Sequence, residues 1–464
     1  MDYDLLILGS GPGGYVAAIR AGQYGLKTGV IEKDPKLGGT CLHVGCIPTK
    51  AYLHYADLYE NFKHSEDFGI GHGELSVDMA KMRDKKQQIV DKHAGGVAML
   101  FKKHKVDWIK GYGRLLGGGR IAVEGKDGRK ELSAKNIIVA TGSRARMLPN
   151  LEPDPDKILS NIEILDQTTI PRSLAVIGAG AVGMEFASVY NSFGTETTVF
   201  EMMPRVLPIE DEDVSKELER QFKKKGVKIH TGTKVESIGK RDGCVHIVFE
   251  GPNGERGELD AEKLLVAVGR APNTEDIGLD KTRIKSTRGF IHANQWMETE
   301  EPNVYAIGDI VAGTPQLAHT ASMEGLVAVA RIAGKPVEPL NYLQNPNATY
   351  CEPQVASVGL TEAQARERGY DVKVGKFPFA ANSKASILGA HGGFVKVVSD
   401  SKYGEILGVH MIGPLVTELI AEAVTAMSAE ATVETMMHTI HAHPTLPEAI
   451  QDAFNAVEGM SING

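Results

Sequence analysis

Leu5-Leu6-Ile7-Leu8-Gly9-Ser10-Gly11-Pro12-Gly13-Gly14 opens the chain and decides the reading of its fold. Four consecutive apolar residues make a buried strand, and the glycines that follow turn the chain directly into a helix. Such a junction places the amides of a helix N-terminus, and the positive end of its dipole, where a pyrophosphate can lie. Further on, Gly29-Val30-Ile31 ends in Glu32. A carboxylate at that strand end accepts hydrogen bonds from ribose hydroxyls. Strand, glycine loop, helix and acid together meet the test for a dinucleotide-binding βαβ unit.

The pattern occurs twice. Gly178-Ala179-Gly180-Ala181-Val182-Gly183 follows the strand Leu174-Ala175-Val176-Ile177, and Glu201 follows Thr197-Thr198-Val199-Phe200. From Gly9 to Glu32 and from Gly178 to Glu201 the offset is the same 23 positions. One copy alone is weak, since glycines also turn strands into helices with no ligand. Two copies with one offset predict a pair of dinucleotide sites. Asn136–Ala140, Leu264–Val268 before Gly269-Arg270, and Val304–Ile307 before Gly308-Asp309 are further buried strands ending in tight turns. Asp309 taken alone reads equally as a helix cap. Residues 78–102 predict an amphipathic helix and 107–135 β-hairpins. After residue 343, strands near 393–398 and 405–411 with helices from 414 and 446 predict an α+β module.

The chain has 464 residues, 42% hydrophobic and 24% charged, which is the composition of a soluble protein of three or four modules. A formal charge of −8, with no basic run longer than Lys223-Lys224-Lys225, points away from nucleic acid. The first strand begins at residue 3, leaving no room for a signal or transit peptide, and no apolar run reaches membrane-spanning length. Four cysteines, at 41, 46, 244 and 351, make no disulfide scaffold and fit a reducing cytosol with one catalytic pair. Cys244 and Cys351 read as structural.

That pair is Cys41-Leu42-His43-Val44-Gly45-Cys46. On a helix the fifth residue lies about one and a third turns on, near enough for sulfurs to bridge with local distortion. Two buried free thiols are the alternative. A dithiol oxidase also needs a base that ionises the incoming thiol. His443-Pro444 with Glu448 five residues on supplies a candidate, the carboxylate fixing the ring tautomer. A His-Pro bond can also be cis at modest cost. His438 and His441 read as packing or surface residues, and the cluster lacks the spacing of a structural metal site. Lys50, one turn beyond Cys46, would stabilise anionic sulfur; otherwise it is a surface lysine. Glu185 is placed on the first turn of the second loop's helix, where a carboxylate also suits the helix dipole.

Gly38-Gly39-Thr40-Cys41 through Gly45-Cys46-Ile47-Pro48-Thr49-Lys50 resembles the active-site segment of the flavin-dependent disulfide oxidoreductases, and the resemblance extends over essentially the whole chain. It implies an α/β fold of two Rossmann-like domains and a C-terminal α+β dimerisation domain, with boundaries at 1–148 for FAD and the redox disulfide, 149–272 for NAD, 273–342 for a central domain completing the FAD site, and 343–464 for the interface. FAD is then held by Gly9, Gly11, Gly14, Glu32, Lys50, Gly113, Asp309 and Ala318. NAD falls to Gly178, Gly180, Gly183, Glu185, Glu201, Val235, Gly269 and Arg270. Cys41 becomes the interchange thiol, Cys46 the flavin-proximal one, and His443 with Glu448 the base, acting across a homodimer. Glu201 favours NAD, because a carboxylate repels a 2′-phosphate. NADP-specific, glutathione-reducing members place arginines here, whereas Met202-Met203-Pro204 offers none and Arg205 lies past the pocket.

His441-Ala442-His443-Pro444-Thr445-Leu446 is similar to the ending of the dihydrolipoamide-oxidising members, with Pro447 in place of their serine and His43 in place of an asparagine. The chain ends in Met460-Ser461-Ile462-Asn463-Gly464, without the cysteine pair of the mercury-reducing members. The resemblance thus implies a cytoplasmic flavoprotein, or a mitochondrial-matrix one after transit-peptide removal, that oxidises protein-bound dihydrolipoamide with NAD. Its partner would be the lipoyl domain of a 2-oxo acid dehydrogenase acyltransferase or a glycine-cleavage carrier protein. An NAD-linked reductase of another small disulfide is the alternative. A purely docking subunit would not need Cys41, Cys46, His443 and Glu448 together.

Overall fold

In the computed structural model, which describes residues 1–463, the first apolar run is the strand Tyr3–Leu8. It lies between Thr28–Glu32 and Gly128–Val139, parallel to both, with Leu6 opposite Gly29 on one side and Ile137 on the other. Val106–Lys110 extends the sheet beyond Thr28–Glu32, and Val304–Ala306 pairs in parallel with Ile137–Val139. Strands buried on both faces have no solvent side to alternate toward, so they appear in sequence as unbroken apolar runs. Gly128–Val139 changes character midway. Its exposed first part pairs antiparallel with Arg120–Gly125, continuing the hairpin begun by Tyr112–Gly117, and its buried end joins the parallel strands.

These strands belong to one compact unit made of Met1–Ala51, Lys81–Arg146 and Gly269–Tyr342. Leu5, Ile7, Ala17, Ala18, Ile138, Ile307, Ala328 and Val329 are buried in its core. The helices Pro12–Gln23 and Ala318–Ile332 pack there through small residues. A methyl on Gly13 would lie 3.0 Å from Ala321 O, and one on Gly325 2.8 Å from Gly13 O and 3.1 Å from Ala17 Cβ. The two helices therefore run side by side in one direction, both starting beyond the carboxyl ends of parallel strands.

The other unit comprises Tyr52–Ala80, Met147–Val268 and Leu343–Gly464. Its parallel sheet runs Lys228–His230, Glu196–Phe200, Ser173–Ile177, Lys263–Val266, Ile158–Leu159, beside a three-stranded antiparallel sheet over 234–261. The C-terminal part is α+β, as its alternating strands and helices predict. Five antiparallel strands, in the order Asn347–Thr349, Gln354–Gly359, Ile406–Gly413, Phe394–Asp400, Val372–Pro378, carry the helices Val416–Ser428 and Glu448–Val457. Phe377, Phe379, Val397, Met411 and Phe454 fill the space between. Lys396, 4% exposed, reaches Asp211 at 2.9 Å, Asp213 at 3.1 Å and Glu362 at 2.9 Å, tying the N-terminal end of the helix Glu212–Lys224 to this sheet. No helix among the described residues is long and apolar enough to cross a membrane.

Candidate active site

Both glycine loops have the form their spacing predicts. Gly9 (φ +105°) and Gly178 (φ +103°) hold backbone conformations that favour glycine, and a side chain at either would strike a carbonyl of the next strand, Ala140 O or Ala267 O. Gly11 and Gly180 differ: a Cβ there meets nothing within 4 Å. Each caps its helix with extended backbone and no side-chain hydrogen bond, so the first amides face open space. That space fits a pyrophosphate and would be reduced by any side chain.

The acids stand where those loops need them. Glu32 accepts from Ser10 N (2.9 Å) and Ser10 Oγ (2.6 Å) on one oxygen and from Asp34 N (2.9 Å) on the other. Glu201 accepts from Ala179 N (2.7 Å) and Met203 N (2.8 Å). A carboxylate oxygen has a second acceptor site, so each acid keeps capacity for ribose hydroxyls. Gly113 lies in Tyr112–Gly117, where a side chain would run into Leu8 and Ile31. Ala318 begins its helix. Val235 sits in Lys234–Arg241 at a break in register.

Asp309 follows Gly308 at the end of Val304–Ala306. Its carboxylate accepts from Ser143 Oγ, which in turn accepts from Arg270 Nε at 2.6 Å, while Arg270 Nη2 donates to Ser143 O at 2.7 Å. The Gly269-Arg270 segment, read as bordering the nicotinamide nucleotide, thus has its guanidinium engaged by the Ser143–Asp309 turn. Sequence reading also missed Glu324, fully buried, whose carboxylate accepts from Gly308 N (2.6 Å) and Tyr342 Oη (2.8 Å). Burial pushes its pKa up to about 7.

The cysteines are not on one helix. Cys41 lies in Gly39–Val44 and Cys46 begins Cys46–Lys63, with Gly45 (φ −138°, ψ −117°) breaking the two. A Cβ at Gly45 would sit 2.9 Å from Thr40 O and 3.1 Å from Cys41 Cα, so the reversal that brings the thiols together requires glycine. Thr49 Oγ1 donates to Gly45 O at 2.7 Å and braces the break. Both cysteines are present as thiols. A hydrogen bond with Cys46, then burial, pushes the Cys41 thiol well up, and the nearby Lys50 charge acts in the opposite sense. Tyr15, missed in the sequence, is close enough that both cysteines add to the effect of burial in raising its phenol. His43 Nε2 meets Leu37 O at 2.9 Å.

In the other unit, Glu448 begins the helix Glu448–Val457, and its Oε1 meets His443 Nδ1 at 2.9 Å while its Oε2 accepts from Thr445 N at 2.7 Å. Burial acts against it, yet the Thr445 amide and His443 hold the Glu448 carboxyl below its ordinary value. With Nδ1–H directed at the carboxylate, Nε2 bears the lone pair on a side chain 72% exposed. The His443–Pro444 bond is cis. Glu185 lies in the second rather than the first turn of Ala181–Ser192, is buried, and accepts from Tyr350 N at 2.9 Å. His441, expected as a packing or surface residue, is a packed one: its side chain is 7% exposed and its Nε2 meets Glu422 Oε1 at 2.8 Å.

The model of the pyridine nucleotide-disulphide oxidoreductase family matches residues 3–325, and that of the family's dimerisation domain residues 345–454. The chain is 46% identical to a dihydrolipoyl dehydrogenase of Bacillus subtilis (strain 168), covering 100% of this chain and 99% of that one. It is 46% identical to a dihydrolipoyl dehydrogenase of Mycobacterium leprae, covering 99% of each. Among solved structures, LpdA of Mycobacterium tuberculosis superposes with a TM-score of 0.90 at 26% identity, covering 97% of this chain and 98% of that one.

Proposed function

The chain belongs to the pyridine nucleotide-disulphide oxidoreductase family, and from that premise we propose that it catalyses the dihydrolipoyl dehydrogenase reaction, oxidising protein-bound dihydrolipoamide with NAD. Identity of 46% along the whole length of a curated dihydrolipoyl dehydrogenase carries this reading, with the Cys41–Cys46 pair and the His443–Glu448 pair as its chemical support.

Glu448 keeps His443 in the tautomer whose Nε2 accepts a thiol proton. The resulting substrate thiolate attacks Cys41 Sγ of the oxidised pair, the Cys41–Cys46 bond breaks, and Cys46 leaves as a thiolate. The second substrate thiol then displaces Cys41, closing the lipoamide disulfide and leaving a reduced cysteine pair. Lys50 supplies the cation that stabilises anionic sulfur. FAD bound along Gly9–Gly14 would carry the two electrons onward as a hydride to NAD. Gly11 and Glu32 hold the first dinucleotide, Gly180 and Glu201 the second, and Glu201 selects NAD through its capacity to accept from two ribose hydroxyls. The segment matched by the dimerisation-domain model carries His443, so the base serves the cysteines of the partner copy in a homodimer. A lipoyl domain on a separate chain of a multienzyme complex delivers the substrate, in the cytoplasm.

The test is steady-state turnover of the flavin-loaded protein with dihydrolipoamide and NAD, beside glutathione disulfide with NADPH. NAD-linked oxidation of dihydrolipoamide should exceed the glutathione reaction by about two orders of magnitude or more, the discrimination attainable when a site's polar groups go unpaired with the wrong substrate. Comparable rates with both would overturn the assignment.

A further inference from the structure

Two residues before His443, a second histidine meets a second carboxylate. His441 Nε2 lies 2.8 Å from Glu422 Oε1 on the helix Val416–Ser428, and its Nδ1 lies 3.0 Å from Thr439 O. Both ring nitrogens are thus held in place, one by each partner. The setting is opposite to that of the first pair: the His441 side chain is 7% exposed, against 72% for His443.

Nothing apolar anchors this stretch. Ile440 is 96% exposed, and the next buried apolar side chain is Leu446. Polar ties remain. Thr439 O also accepts from Gln451 Nε2 at 2.8 Å, and Thr439 Oγ1 donates to Thr435 O at 2.9 Å. His441 thus connects the helix carrying Glu422 to a carbonyl that the C-terminal helix also grips. A buried polar contact contributes little net stability, since desolvation offsets its attraction, so a role in geometry accounts for it better than one in stability.

We propose that Glu422 and His441 are positioning residues for the thiol-deprotonating step, fixing the loop that presents His443. The inference rests on the assignment of His443 as the base. In the flavin-loaded dimer, Glu422→Ala should lower kcat for dihydrolipoamide oxidation about tenfold or more with KM little changed, because a base misplaced by about 1 Å forfeits up to two orders of magnitude. NADH oxidation by ferricyanide needs no thiol base and should stay within about twofold. Glu422→Gln should restore most of the rate, since its amide N–H can donate to Nε2 while Nδ1–H keeps Thr439 O. In a His443→Gln background, Glu422→Ala should add almost nothing, as expected of a residue acting through another.

A Glu422→Ala enzyme with undiminished dihydrolipoamide turnover overturns the proposal. So does a proportionate fall in both activities, or a defect that multiplies fully with that of His443→Gln. Failure of the base assignment is seen separately: a His443→Gln enzyme with native turnover removes the base itself, whatever Glu422 does.

Discussion

Glu32 and Glu201 occupy equivalent places in two βαβ units, each fixed by one amide from its glycine loop and one from two residues beyond itself. Their surroundings differ. Glu32 is 6% exposed and gains a third donor in Ser10 Oγ, which also accepts from Gly38 N at 3.2 Å. Gly39 follows so closely that a Cβ on it would sit 2.7 Å from Gly11 Cα. The segment leading to the cysteines therefore lies over the first loop. At the second loop Ala179 replaces the serine, and Met202 beside Glu201 is 70% exposed. One binding pattern has been given two kinds of cover: a closed one that suits a cofactor retained through turnover, and an open one that suits a nucleotide that must leave after each cycle.

The harshest way to break this comparison is to put a side chain where each loop turns. Gly9→Ala meets both a positive φ and the Ala140 carbonyl, and Gly178→Ala meets the same obstacles at Ala267. Gly9→Ala should yield protein without flavin and without measurable activity. Gly178→Ala should keep its flavin absorbance and lose NAD-dependent turnover by about two orders of magnitude, given a strained conformation plus a backbone clash. Flavin loss in both variants, read from the visible spectrum, would show that the loops do not divide the labour.

Milder changes sharpen the comparison. Removing a carboxylate that accepts charge-assisted hydrogen bonds costs about 1.5–3 kcal/mol, or about ten- to a hundredfold in binding. Glu201→Ala should raise KM for NAD by that factor and narrow the preference over NADP. Glu32→Ala should leave KM for NAD unchanged and speed flavin dissociation from the diluted enzyme. Crossed effects would contradict the separate roles.

Local patterns made these loops legible in sequence. In each copy the acid follows the first glycine by 23 positions, and each spacing has its own physical requirement. In the C-terminal sheet the strands Phe394–Asp400 and Ile406–Gly413 were legible, while Asn347–Thr349, Gln354–Gly359 and Val372–Pro378 were not. What stayed hidden depends on partners far apart in the chain: Arg270 with Ser143 and Asp309, Glu324 with Gly308 and Tyr342, His441 with Glu422. No periodicity marks such contacts. The cysteine segment misled in a local way, because a five-residue spacing suits a continuous helix. The break depends on the close approach of Gly45 to Thr40 and Cys41, which only the folded backbone displays.

The smallest predicted effect tests whether the two units also differ in how they carry buried charge. Each hides a carboxyl whose pKa burial pushes up to about 7: Glu324 in the unit of the first loop, Glu210 in that of the second. The ordinary value for such a group is 4.5. Between those two pH values the folded protein binds a proton that the unfolded chain does not, so stability rises as pH falls through 7 and levels off near 4.5. Above pH 7 the ionised carboxyl carries its full burial penalty. Replacing either residue by glutamine removes the titration, so the variant should gain on the parent between about pH 5 and pH 8. At about 1.4 kcal/mol per unit, the ceiling is on the order of 3 kcal/mol. The two substitutions should differ at the acid end of that range. In Glu324→Gln the new amide can accept from Gly308 N and donate to Tyr342 Oη, matching the groups around the native carboxyl, and the change should be near neutral. Glu210 Oε2 has no hydrogen-bond partner among the described residues, so an amide there leaves two buried N–H donors unpartnered where the protonated carboxyl leaves one, and the gain over the parent should be smaller than for Glu324→Gln by about 1–3 kcal/mol. Denaturation midpoints of parent, Glu324→Gln and Glu210→Gln at about pH 5 and pH 8 decide the matter: curves parallel to the parent's would show that neither carboxyl titrates in this window.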